Sequence, residues 1–137
     1  MLRLACLLLV LSGAAFGEEA IRQEGGASLY GATHNGAATA SGERLDDRKK
    51  TAASPDLPLG SHATVTNQDN GKSVDVKIND RGPFVEGRVI DLSKAAARQL
   101  DMEKAGVAPV TVEEKPSAQP TEELKAKVDE KAKRRKH

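Results

Sequence analysis

The chain has 137 residues, a single cysteine, no tryptophan and a formal charge of +1. Without the leader described below, which takes Arg3 and no acid, 20 basic side chains face 20 acidic ones, so no global field points to nucleic acid. Tyr30 and Phe84 are the only aromatics after residue 17, which argues against base stacking and against a separate aromatic sugar-binding platform.

Residues 1–17 read as a signal peptide. Arg3 gives a minimal positive start, Leu4 to Leu11 an apolar stretch, and Ala15-Phe16-Gly17 places small residues where a signal peptidase reads. That stretch is shorter than the about 20 residues a bilayer-spanning helix needs, so no membrane anchor is predicted. Cys6 stands near the start of the leader, not just after the apolar stretch where a lipidated cysteine belongs. Export without disulfides suits a bacterial periplasm or cell envelope.

One domain is predicted over 25–112. Ala27-Ser28-Leu29-Tyr30 reads as a first strand. Pro58-Leu59-Gly60 turns the chain into a strand from Ser61 to Thr66, and Asn70-Gly71 is a strong hairpin signal. Val74, Val76 and Ile78 then alternate with Asp75, Lys77 and Asn79. Arg88-Val89-Ile90 is a short strand. A helix follows to about Leu100, capped by Asp91 or Ser93, and Pro109 to Val112 closes the domain as a last strand. Several short strands with one small helix inserted predict an all-β fold closed into a small barrel. Residues 113–137 read as a charged linker and a solvated helical tail, capped by Thr121, with Leu124, Val128 and Ala132 as a thin apolar stripe. Its basic end, Lys131 to Lys136, could touch anionic envelope polymers.

The chemistry points to Asp80. If the strand register continues one residue beyond Asn79, Asp80 falls on the apolar side, where a carboxylate is costly unless paired or protonated. Arg81 is a candidate partner, and Gly82-Pro83 turns the chain, leaving Asp80 at the lip of the sheet. A partly desolvated acid at a strand end is a candidate acid/base catalyst. The sequence shows no His or Cys cluster suited to a metal, and no cofactor is predicted.

The motifs Gly26-Ala27-Ser28-Leu29-Tyr30-Gly31, Thr39-Ala40-Ser41-Gly42-Glu43, Thr51-Ala52-Ala53 and Leu57-Pro58-Leu59-Gly60 follow in order. Asn79-Asp80-Arg81-Gly82-Pro83-Phe84 and Gly87-Arg88-Val89-Ile90-Asp91-Leu92-Ser93 complete the series. The chain thereby resembles the rare lipoprotein A (RlpA)-like family across 25–112. The resemblance implies a six-stranded double-psi β-barrel and endolytic peptidoglycan transglycosylase activity on glycan strands stripped of stem peptides. It implies Asp80 as the catalytic acid/base, with Glu43 orienting substrate or tuning Asp80 by like-charge repulsion. Tyr30 and Phe84 are placed to stack on sugar rings, with a core role equally open for Phe84, and Ser54 and Arg81 are expected to complete the substrate-binding set. A monomer is expected. The chain departs from the family at Ser54, where relatives carry a histidine. Serine cannot carry a positive charge or exchange protons near neutral pH. His34 and His62 are read as surface residues. Two other readings follow: a non-catalytic, expansin-like barrel that binds envelope glycan, or a hydrolase using Asp46, Asp47 or Asp91 as second carboxylate.

Overall fold

The structure is a computed structural model that describes residues 18–30 and 34–136. The predicted leader, Cys6 included, lies outside the described residues, as does Gly31. Six strands close into a barrel: β1 (Ile21–Leu29), β2 (Thr51–Ala53), β3 (His62–Asn67), β4 (Ser73–Asp80), β5 (Arg88–Leu92) and β6 (Val107–Glu114). Around the barrel the order is β1-β5-β2-β4-β3-β6. β1/β5 and β2/β4 pair in parallel, and the remaining pairs are antiparallel. Closure leaves no strand edge open to further pairing.

The core is aliphatic, as the scarcity of aromatics requires. Val65, Val74, Val76, Ile78, Ile90, Leu92, Val110 and Val112 are all buried. Period-two alternation on β3, β4 and β6 delivers most of them. The Asn70-Gly71 turn joins β3 to β4 in the expected antiparallel pair, Thr66 facing Ser73. Helix α1 (Lys94–Gln99) is capped by Ser93, whose hydroxyl accepts from the Ala96 amide, and buries Ala96 and Ala97. Asp91 is no cap: it lies within β5.

Three features depart from the sequence reading. First, β1 begins at Ile21, six residues ahead of the expected start at Ala27, because Gly25 and Gly26 pair directly with Val110 and Pro109 of β6. A Cβ at Gly25 would lie 2.6 Å from Val89 Cγ1, so this close approach requires glycine. Second, β2 is a three-residue, fully buried strand, too short to show any alternation. Third, the tail is packed against the barrel along one stripe rather than solvated all round. A 3-10 turn at Pro116–Ala118 leads into helix α2 (Glu122–Arg135), and Val128 and Ala132 are buried in the main core cluster. Thr121 caps α2 as expected, its hydroxyl accepting from the Leu124 amide. No helix among the described residues is long and apolar enough to cross a membrane.

Candidate active site at the barrel mouth

The site begins with a register shift. Thr51 and Ala52 of β2 face Lys77 and Ile78 of β4, but Ala53 faces Asp80, so Asn79 is an extra residue. Such a bulge re-aims the side chains beyond it. Asn79 takes the buried place at 2 % exposure. Asp80 moves into a cross-strand row with Ala53, Asp91 and Ser28. The expected continuation of the register onto the apolar side is thereby broken, and Asp80 stands half-buried at the mouth.

Its carboxyl meets three donors. Tyr30 Oη donates to Oδ2 at 2.9 Å, and the amides of Ala40 and Arg81 each donate to Oδ1 at 2.9 Å. Among the described residues Asp80 has no ion pair. The Arg81 guanidinium turns away and donates to the carbonyls of Ser54 and Leu57, at 3.2 and 2.7 Å. Arg81 therefore ties down the 54–57 segment rather than neutralising Asp80 or reaching out to a ligand.

The loop from His34 to Lys50 folds against the end of β4. Ser41 donates its amide to the Asn79 carbonyl at 3.1 Å. Glu43 meets Lys77 Nζ at 2.8 Å and Asn79 Nδ2 at 2.9 Å. These two hydrogen bonds hold the Glu43 carboxyl below its ordinary range, Lys77 first and Asn79 second. Glu43 contacts the strand beside Asp80 and not Asp80 itself. Its charge is matched by Lys77, so tuning by like-charge repulsion is not what this geometry offers.

Tyr30 and His34 stand together, ring centroids 5.8 Å apart and tilted by 52°. Burial raises the Tyr30 hydroxyl above its ordinary range, reinforced by the hydrogen bond to Asp80, so it remains a neutral donor. Phe84 is 81 % exposed beyond the Gly82 turn, an open aromatic face rather than a core side chain. Gly82 has φ +116°, a conformation glycine adopts without strain.

Ser54 corrects an expectation. It is fully buried, and its hydroxyl accepts from the amides of Leu57 and Asp56 at 3.0 and 3.3 Å. Occupied inside its own turn, it meets no ligand from there. The only imidazole beside the Asp80 constellation among the described residues is His34, from a different loop. His62 is exposed on β3, where Gln119 brackets its backbone. Asp46 is occupied by Arg48 at 3.0 Å.

Sequence reasoning missed one group, the Ala40 amide, which has no side-chain signal at all. Asp91, a candidate cap or second carboxylate in the sequence, contacts the Ser28 hydroxyl and lies 3.9 Å from Arg88, in the Asp80 row with Ala53 between them. No cluster of three or more metal-ligating side chains occurs among the described residues.

A family model described as lytic transglycolase matches residues 22–112. The chain is 55% identical over 94 residues to endolytic peptidoglycan transglycosylase RlpA of Pseudomonas aeruginosa, covering 69% of this chain and 28% of that protein. It is 54% identical over 94 residues to a probable endolytic peptidoglycan transglycosylase RlpA of Treponema pallidum, covering 69% and 30%. For the Neisseria meningitidis RlpA the identity is 50% over 92 residues, covering 67% and 38%. The chain thus spans well under half the length of these relatives. Among solved structures, a Streptomyces papain inhibitor aligns with TM-score 0.56 at 24% identity, covering 67% of this chain and 92% of that one. Clavibacter michiganensis expansin aligns with TM-score 0.52 at 23% identity, covering 67% and 49%. These two likenesses concern the fold alone, a double-psi β-barrel.

Proposed function

Because the chain belongs to the lytic transglycolase family, we propose that it is an endolytic peptidoglycan transglycosylase of the bacterial envelope, acting as a monomer on glycan strands free of stem peptides. Asp80 carries the proposal: a half-buried carboxyl at an open strand end, hydrogen-bonded but not neutralised by a guanidinium.

The reaction asks one residue to give and then regain a proton. Asp80 in its acid form protonates the glycosidic oxygen between N-acetylmuramic acid and N-acetylglucosamine as the C1–O bond breaks. The muramoyl C6 hydroxyl closes onto C1 and returns its proton to Asp80, leaving a 1,6-anhydro end. No water is consumed, and the substrate supplies the nucleophile that a retaining glycosidase takes from a second carboxylate. Two fixed amides already donate to Oδ1, which supports Oδ2 as the oxygen that gives and regains the proton. The Tyr30 hydroxyl can rotate there from donor to acceptor. Phe84 offers its exposed face to a sugar ring. Glu43 and Lys77 brace the strand end from behind.

The burial of Ser54 favours a second reading, a barrel that binds envelope glycan without cutting it, since the family histidine has no titrating replacement at that position. Digestion of peptide-free glycan strands followed by mass spectrometry separates the two. Anhydro-muramoyl ends that vanish in Asp80→Asn support cleavage. Reducing ends would indicate hydrolysis instead, and retention on sacculi without new ends would leave a binding module.

A further inference from the structure

The family match stops at residue 112. Beyond it the chain carries a second polar arrangement that the mouth chemistry does not use. Glu114, the last residue of β6, is buried to 1 % exposure. Among the described residues its Oε1 has no hydrogen-bond partner, and its Oε2 lies against the Ser61 hydroxyl. Ser61 Oγ also lies 2.6 Å from the Pro58 carbonyl. A hydroxyl has one hydrogen, and a carbonyl has none to offer. Ser61 therefore donates to Pro58, and the hydrogen between Ser61 and Glu114 belongs to Glu114. Both contacts are satisfied together only by a neutral carboxylic acid.

Around this acid the chain is tied in series. Helix α2 seats Val128 and Ala132 in the core, and Leu124 Cδ1 lies 3.6 Å from where a Cβ of Gly60 would be. Lys131 and Arg135 both reach Asp56 Oδ2 at 3.5 Å, while Gln23 of β1 holds Oδ1 at 3.1 Å. The Asp56 and Leu57 amides are fastened to Ser54 Oγ. The Ser54 and Leu57 carbonyls hold the Arg81 guanidinium, and the Ser54 amide donates to the Asp80 carbonyl at 3.1 Å. Helix, loop and mouth are thus one continuous run of contacts.

We propose that α2 is a strap that positions the 54–60 loop beside Asp80, and that Glu114 in its acid form is the pin, so that the strap tightens in acid and loosens when this carboxyl ionises. The groups facing Glu114 are Ser61 before β3, Asp56 from the loop, Lys131 from α2 and, across the ladder on β1, the apolar Ile21. Burial pushes its carboxyl up to about 7, with Asp56 adding to the rise and Lys131 opposing it. Ionisation would bury a charge whose Oε1 is unpaired among the described residues and whose neighbour Ser61 is committed to Pro58, with Lys131 offsetting only part of the cost.

Hydrogen exchange of the full chain, read by mass spectrometry between pH 5 and pH 8 and corrected for intrinsic exchange, tests this without any substrate. Protection of segments 54–60 and 122–135 is expected to fall together, by about tenfold or more, as the pH rises through neutrality. In Glu114→Gln, where a neutral amide donates to Ser61 at every pH, both segments should keep their pH 5 protection at pH 8. Flat protection in the natural chain, or an unchanged loss in Glu114→Gln, would overturn the pin. Val128→Asp unseats the helix by a second route. It should expose the 54–60 loop at every pH while β3 and β4 stay protected, and a loop that remains protected would overturn the strap.

Discussion

Asp80 and Glu114 end two strands with the same sequence logic, yet the barrel puts them to opposite uses. β6 alternates without interruption, Ala108, Val110 and Val112 inward, and delivers Glu114 inward with them. β4 alternates through Val74, Val76 and Ile78, then inserts Asn79 against β2 and turns Asp80 out to the mouth. Asp80 meets three donors and stays reachable, whereas Glu114 meets burial and one hydroxyl. A single extra residue thus separates a carboxyl left part-exposed at the mouth from one buried to 1 % exposure.

The comparison is broken most severely at Asp80. Asp80→Asn keeps the shape but removes the proton, and should lower the formation of anhydro ends by about 10²–10⁴-fold, the usual contribution of a positioned acid/base group. The same isosteric change at Glu114 should leave turnover at pH 5 intact, because the natural residue is neutral there. Its effect is on stability. Glu114 titrates near 4.5 in the unfolded chain and about 7 in the folded one, so the native state binds the extra proton between those values. Its contribution is complete below pH 4.5 and is lost as the pH rises through about 7, a difference on the order of 3 kcal/mol. Thermal unfolding of the natural chain should therefore weaken across this window, and Glu114→Gln should flatten the slope.

A smaller effect is expected at Tyr30, where stacking and positioning can be told apart. Tyr30→Phe keeps the ring and deletes the contact to Asp80 Oδ2. If the hydroxyl orients the acid, kcat falls about tenfold with KM held, the cost of one hydrogen bond to a charged group. A residue that only stacks on sugar would lose nothing.

Much of this mouth was legible in the sequence, and what was not has physical reasons. The Asn70-Gly71 hairpin and the alternating strand after it carry their signals locally, so their pairing was foreseen. The bulge at Asn79 was not, because it exists only in the pairing of β4 with β2, and β2 is too short and too buried to show a period. Ser54 looked like a lost catalytic position and is a buried cap for its own loop, a role fixed by the amides of Asp56 and Leu57. The tail looked solvated because its apolar stripe is thin. Val128 and Ala132 nonetheless join the main core cluster, and burying a side chain the size of Val128 stabilises by roughly 1.5–3 kcal/mol. The fit of such a stripe to a receiving surface cannot be read from the stripe alone.

Glu43 lies between the two extremes and should yield the smallest change. Its carboxylate is partly exposed, 30% for the side chain against 40% for Lys77, so the pair is worth about 0.2–1 kcal/mol. Its pKa is lowered, so by linkage this contribution is present above the unfolded value near 4.5 and disappears as the pH falls through the folded one. That is the reverse of the Glu114 slope, and acid titration of Lys77→Met against the natural chain would isolate it. Activity gives the sharper reading. A Glu43 that only braces Asn79 and Lys77 predicts that Glu43→Gln, which can still accept from Asn79, loses less than about tenfold in kcat. A loss approaching that of Asp80→Asn would mean that Glu43 leaves Lys77 when glycan binds and touches the reacting sugar itself.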